Sequence, residues 1–384
     1  MGHTLAEKIL AAHAGGKPVR AGDVVVAAVD FAMIHDARAG NALKMIRKTG
    51  ATSLPFARKT ALVLDHYSPP PNIEAANTHA DMRAFADQWD TPIYDIGDGI
   101  CHQVLPEGGH LTCGDLVVGT DTHSTTYGAF NVFGTGVEGT DVAAVMLTGK
   151  LWFRVPESIR IELTGRLAPG VWAKDVTLHM LGRLGAEGAN YRALEYAGSA
   201  VAAMEIDDRM TLSNHAAELG AKAAILEADA KTRTWLKAHG AREPRPVTAD
   251  TDAQYAERIT INASALPPQV ARRHEIDDVV GGAGSRGPEN PRRADRHLHQ
   301  RPARRYPAGR RDPQGSQDRA RRAHDRHARF TADLPAGGAR RSHRGADRRR
   351  CVLRGGGLRH LREHHRPLHF RRRPGRDLQR QPQF

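Results

Sequence analysis

The chain has 384 residues, length enough for about two or three domains, and carries a formal charge of +13 with a pI near 10.0. Such a charge ordinarily points to a nucleic-acid or anionic-surface partner, but here it is unevenly placed: residues 281–384 hold 29 Arg, no Lys and 9 acidic residues, a net +20, which leaves −7 on residues 1–280. An aromatic content of 5%, a mean hydropathy of −0.52 and the lack of any run of about 18 apolar residues exclude a helical membrane protein, and Cys101, Cys113 and Cys351 are too few for a disulfide framework.

Met1 to Gly16 carries Glu7 and Lys8 where an export signal needs an apolar stretch, so a cytoplasmic protein is expected. Thr4 to Ala14 reads as a helix, with Leu5, Ile9 and Leu10 at helical spacing behind a Thr4/Glu7 capping box. Short apolar runs at Asp23–Val29, Thr60–Leu64, Thr91–Ile96 and Asp115–Val118, bounded by Gly, Pro or Asp, suit buried strands of a mainly parallel sheet. Asn72–Gln88 and Thr140–Thr148 read as helices between and after them, so the alternation predicts a layered α/β/α body. Beyond it, Ser158–Leu163 reads as a strand, Val176–Leu184 and Met210–Gly220 as helices, and Leu236–Ala253 as a charged surface connection. The last 104 residues contain no Ile, Lys or Met and a single Val, Val352, with no apolar period; as written they are expected to be disordered.

Polar groups with catalytic potential cluster in four places: His35-Asp36, Asp65-His66, His102 within Gly99-Ile-Cys-His-Gln103, and Asp121-Thr122-His123-Ser124. The last three follow strand ends, where open α/β sheets bind ligands. Asn214 and Glu218, spaced i, i+4, share one helix face. Any one of these groups alone reads more often as a turn or a hydrogen-bonded structural histidine than as a site. Gly134-x-Gly136-x-x-Gly139 has the letters of a dinucleotide loop, yet it follows no clean strand and lacks the acidic residue that such a loop needs. Cys101 and Cys113 read as buried thiols.

The order and wording of the clusters together say more. The words YDIGDGICHQVLPEG around Asp95–Glu107, then VVGTDTHSTTYGAF, then TGKLWFRVPESI, resemble the large subunit of the aconitase superfamily in its 3-isopropylmalate dehydratase branch. Thr4–Leu10, Ala173-Lys-Asp175 and Asn214-His-Ala-Ala-Glu218 ahead of Gly220-Ala-Lys222 continue the resemblance over nearly all of residues 1–279. It implies an aconitase-like three-layer α/β/α fold and a hydro-lyase that removes and re-adds water on a hydroxylated di- or tricarboxylate, as in the isomerisation of 2- and 3-isopropylmalate in leucine biosynthesis. It also implies a [4Fe-4S] cluster on three cysteines, whose open iron acts as a Lewis acid, and a small subunit that brings a serine base and further arginines.

Hydroxide is a poor leaving group, so the resemblance further implies a positioned imidazolium that protonates it. Three carboxylate-supported histidines are expected: His66 with Asp65, His102 with Asp121 and His123 with Glu218, His66 being the acid to the leaving hydroxyl. Asn214, Thr122, His35 and Asp36 would line the substrate pocket. Thr122 stands where the family usually has Ser, and His35-Asp36 departs from relatives with Gln-Asp or His-Glu. Val29-Asp-Phe-Ala-Met33 is as much like dehydratases of dimethylmalate, homoaconitate or related acids.

The family's cluster cysteines belong after about residue 280, and the words that carry them are absent as written. Reading one base later, the codons of Asp295–Arg301 permit Ile-Gly-Thr-Cys-Thr-Asn-Gly, those of Leu353–Arg366 permit Cys-Gly-Ala-Ala-Gly-Cys-Gly-Thr-Cys-x-Asn-Thr-Thr-Gly, and those of Asp377–Phe384 permit Thr-Cys-Ser-Ala-Asn-Arg-Asn-Phe. One shift thus recovers three family words in order, so residues 1–280 are expected to be the family region and 281–384 an out-of-frame tail in which Cys351 is an accident. An Arg-rich nucleic-acid-binding tail is the competing reading; against it stand the lack of regular RGG spacing and the few aromatics, Tyr306, Phe330, Phe370 and Phe384.

Overall fold

The structure, a computed structural model, describes residues 1–272 and 275–282. Helix α1 (Leu5–His13) begins at the expected box: the Thr4 hydroxyl accepts from the Glu7 amide, and the Glu7 carboxylate accepts from the Thr4 amide. There follow β1 (Val24–Ala28), β2 (Phe31–His35), α2 (Asp36–Lys48), β3 (Thr60–Val63), α3 (Ile73–Trp89), β4 (Ile93–Tyr94), α4 (Cys101–Glu107), β5 (Leu116–Gly119), a 3-10 segment (Thr122–Phe130), β6 (Phe133–Gly136), α5 (Gly139–Thr148) and β7 (Lys150–Arg154).

Five of these strands form one sheet in the order β4-β3-β2-β5-β6, every neighbouring pair parallel. Because side chains alternate along a strand, its two faces feed two cores. Ala32, Ile34, Leu62, Leu116 and Val118 meet apolar residues of α1, α2, α3 and α5. Phe31, Met33, Ala61, Val63 and Val117 meet α4 and the 3-10 segment. The result is the layered α/β/α arrangement that the alternation of elements predicts.

One expected strand lies elsewhere. The run Asp23–Val29 supplies β1, which pairs antiparallel with β7 in a two-stranded ribbon and leaves Val24 and Val26 69% and 62% exposed. Its place in the sheet belongs to β2, five buried residues directly after Asp30. From Val24 to Ile34 the chain is apolar but for Asp30, so no alternation distinguishes the two strands in the sequence.

A second parallel sheet, order β10-β9-β8-β11, is built by β8 (Ser158–Thr164), α6 (Ala173–Leu184), β9 (Ala193–Ala197), α7 (Ser199–Ala203), α8 (Ile206–Asn214), β10 (Ala223–Leu226), α9 (Ala230–Ala238) and β11 (Glu257–Asn262). Strands β12 (Gln269–Ala271) and β13 (Val279–Gly281) pair antiparallel. Sequence reasoning finds β8 and α6 but not the other strands of this sheet. The single helix expected at Met210–Gly220 is the end of α8 followed by a 3-10 turn, His215–Leu219.

Leu236, at the start of the expected surface connection, is fully buried within α9. The rest of that connection is fastened by Asn131, whose Oδ1 accepts from the Val247 amide at 2.7 Å and whose Nδ2 donates to the Leu226 and Val247 carbonyls. No described helix is long and apolar enough to cross a membrane. From residue 283 on, the tail expected to be disordered, with Cys351, lies outside the described residues.

Candidate active site

The clusters converge at the carboxyl ends of the first sheet's strands. His35 is the last residue of β2, Asp65 and His66 follow β3, Asp121 follows β5, and His102 lies in the first turn of α4. Asp121 also caps the 3-10 segment: its Oδ1 accepts from the His123 amide at 2.7 Å, which turns the backbone sharply at the sheet's edge. Glu218 arrives from the turn after α8.

Asp121 is the hub. Its Oδ2 is 3.0 Å from Nε2 of His66 and its Oδ1 is 3.1 Å from Nε2 of His102 and 3.6 Å from Nδ1 of His123. Burial pushes this carboxyl up, but hydrogen bonds from His102, His123 and His66 overcome that and hold it far below the usual carboxylate range. Nδ1 of His66 faces Asp65 at 2.7 Å. With both ring nitrogens aimed at acceptors, His66 must donate from both and is an imidazolium. The Asp121 and Asp65 hydrogen bonds push it up to about 10, against the opposing effect of burial. His123 is likewise raised, first by Asp121 and then by Glu218 at 3.3 Å, with burial opposing. The structure therefore brings together all three expected histidine–carboxylate pairs. It adds that Asp121, expected to serve His102 alone, serves three rings.

The four residues expected to line the substrate pocket have different places. His35 stacks on His66 with ring centroids 3.9 Å apart, and its Nε2 donates to the Thr120 carbonyl at 3.2 Å. Burial, then the positive charge of His66, lowers it. Thr122 has its hydroxyl 3.4 Å from Nδ1 of His123. Asn214 donates to the Thr126 hydroxyl at 2.9 Å.

Asp36 does not face a pocket. Its side chain is fully buried and accepts from the amides of His66 and Tyr67 and from Nε2 of His79. Helix α2 starts at Asp36, and the first turn of a helix directs a side chain back beneath the neighbouring strand end. His79 escapes sequence reasoning, because a single histidine on the inner face of α3 carries no local signal of a partner 43 residues away.

The glycine letters at Gly134 and Gly136 have a packing cause. Both lie in β6, and an added Cβ would meet the Ser124 carbonyl at 2.5 Å and the Asp121 carbonyl at 2.8 Å respectively. Only glycine lets the segment that carries His123 lie this close to the strand.

The described residues do not fit an iron–sulfur cluster. Such a cluster takes thiolates, and the described cysteines, Cys101 and Cys113, are both buried in the apolar core under the sheet. Burial and then the charge of Asp65 push the Cys101 thiol up, and burial pushes Cys113 up to about 12. His35, His66 and Asp121 each bring an atom within 4.8 Å of the others, but His66 has no lone pair to offer a metal while both its nitrogens donate. Among the described residues no arginine or lysine bonds to Asp65, Asp121 or Glu218, so the array supplies acids and bases without a guanidinium clamp.

The sequence model of the aconitase family (aconitate hydratase) matches residues 7–315, running past residue 280 where the quoted family words end. A 3-isopropylmalate dehydratase large subunit of Methanopyrus kandleri is 46% identical over 281 residues, 73% of this chain and 67% of that protein. The large subunits from Thermotoga maritima and Archaeoglobus fulgidus are 43% and 41% identical over 280 and 284 residues, each match covering 73% of this chain and 66% and 67% of the relative. About a third of each relative therefore has no counterpart in the match.

Proposed function

The chain belongs to the aconitase family and is by that family a hydro-lyase, and from this premise we propose that residues 1–280 are the histidine-bearing part of a 3-isopropylmalate dehydratase large subunit. The intact enzyme interconverts 2- and 3-isopropylmalate in leucine biosynthesis, in the cytoplasm, together with a small subunit. The observation that carries this reading is His66, an imidazolium held between Asp65 and Asp121 and about one-third exposed. As the substrate C–O bond breaks, His66 gives the departing hydroxyl the Nε2 proton that Asp121 holds in the free protein, the hydroxyl leaves as water, and Asp65 keeps the Nδ1 proton and the ring's orientation. The carbon-bound proton goes to the serine base expected in the small subunit. His102 and His123 share the Asp121 carboxylate with His66, and His35 packs against the His66 ring and fixes its plane.

As written, the chain holds no [4Fe-4S] cluster and turns over no substrate, because its ligands are encoded one base out of frame after about residue 280. The test is a single-base correction near codon 280, followed by anaerobic reconstitution with a small subunit. The corrected chain should develop iron–sulfur charge-transfer absorption and dehydrate 3-isopropylmalate, and the chain as written should do neither. Stable cluster formation and turnover by the uncorrected chain would sink the proposal. If the corrected enzyme prefers dimethylmalate or homoaconitate, the substrate assignment falls and the hydro-lyase assignment stands.

A further inference from the structure

Asp36 and His79 are the most deeply buried acid–histidine pair near the array, with side chains 0% and 2% exposed. Neither reaches the space in front of His66. Asp36 Oδ1 accepts from the His66 amide at 3.1 Å, and Oδ2 accepts from the Tyr67 amide at 2.9 Å and from Nε2 of His79 at 2.8 Å. Two consecutive backbone N–H groups of the turn that carries His66 are therefore tied to one carboxylate at the end of a different strand. The same carboxylate lies 3.8 Å from Nδ1 of His66. A buried carboxylate is tolerated only when donors satisfy it, and His79, reaching in from α3 among Ala75, Met82, Phe85 and Ala86, supplies the side-chain donor. Nδ1 of His79 is buried without a hydrogen-bond partner among the described residues, so nothing else there fixes this ring.

We propose that Asp36 and His79 form a positioning pair: His79 orients Asp36, and Asp36 clamps the Asp65–Tyr67 turn so that the His66 ring sits between Asp65 and Asp121. This rests on the reading of His66 as the acid. Hydrogen bonds weaken steeply once stretched or bent, so a turn that drifts by about an ångström loses the bonds at 2.7 and 3.0 Å that charge the ring. Helix α3 thereby helps set the acid without touching a substrate.

The test uses the full chain labelled with 15N-histidine and reads the His66 ring by NMR as pH is varied. His79→Leu, which removes the donor, should lower the His66 midpoint by about one pH unit or more, whereas His79→Gln, which keeps an N–H donor, should restore most of that shift. An unchanged His66 midpoint in folded His79→Leu protein overturns the proposal, and so does equal behaviour of the two variants. Should His79→Leu fail to fold, hydrogen exchange in the unaltered chain decides: the His66 and Tyr67 amides should exchange as slowly as the β3 amides, and rapid exchange refutes the clamp. Replacing His66 by Asn in the frame-corrected enzyme separates the two readings. If activity survives there while His79→Leu still shifts His66, the acid role fails and the clamp stands.

Discussion

The first sheet carries histidine–aspartate chemistry at both ends, and the two ends are put to different uses. At the amino end, His13 of α1 donates from Nε2 to Asp30 at 2.6 Å and from Nδ1 to the Ile9 carbonyl at 2.7 Å, and the same Asp30 oxygen takes the Leu116 amide. Asp115 alongside pairs with Arg242 at 2.6 Å and accepts from the Thr112 amide. Both ring nitrogens of His13 are bound within the protein, and these contacts tie α1 and the Arg242 loop to the starts of β2 and β5. At the carboxyl end one carboxylate serves three imidazoles, of which His66 and His123 are 34% and 32% exposed, against 14% for His13. A histidine–aspartate contact is thus no mark of a site by itself. What separates the two ends is exposure: the donors are engaged at both, but the rings of His66 and His123 border open space and that of His13 does not.

The comparison breaks most visibly in the frame-corrected enzyme, where His66→Asn should lower kcat by roughly 10²–10⁴-fold; His13→Asn should leave kcat unchanged and lower only the unfolding midpoint. A similar loss from both would erase the distinction. Next in size, Asp30→Ala strands the Leu116 amide and His13 and should destabilise the fold by roughly 1–3 kcal/mol, measured by urea unfolding, with the His66 titration left where it was.

The two ends also respond to pH in opposite regions. His66 lies above its ordinary value, at about 10, so the stability it contributes is complete below about pH 6.5 and disappears as pH rises through about 10. The unfolding free energies of the parent and His66→Asn proteins should therefore converge in alkali. Asp115 is raised to about 6 by burial and by Asp30, which outweigh its ion pair with Arg242. Its folded form holds a proton that the unfolded form has released, so stability falls as pH rises from about 4 to 6, by about 1–2 kcal/mol. Asp115→Asn should flatten that fall, and a slope unchanged in the variant would assign it to another group. Smallest of all, Thr122→Ser removes one methyl beside His123 and should change stability by less than about 0.5 kcal/mol, with the His123 titration unmoved.

Much of this was legible in the residues, and the exceptions share a cause. The Thr4/Glu7 box, α3, α5 and α6 could be read because caps and the 3.6 period are local. Strand β2 could not be told from β1, because the run of valines preceding Asp30 is as apolar as the strand beyond it. Strands β9 and β10, five and four residues long and wholly buried, carry no period at all. Within the site, Asp65 and His66 are adjacent in sequence and announce each other, whereas the reach of Asp121 to three rings and the inward turn of Asp36 depend on which strands become neighbours. That is fixed by packing across the sheet rather than by spacing along the chain.

Gly134 and Gly136 carry a consequence for how such a protein can change over generations. The histidine-bearing segment rests on backbone that has no side chain, so a substitution there lifts His123 and Asp121 away from their partners. Thr122, whose hydroxyl lies 3.4 Å from Nδ1 of His123, meets no such backbone. The histidine–carboxylate array is thus anchored on missing atoms, and drift at these two positions is closed to it.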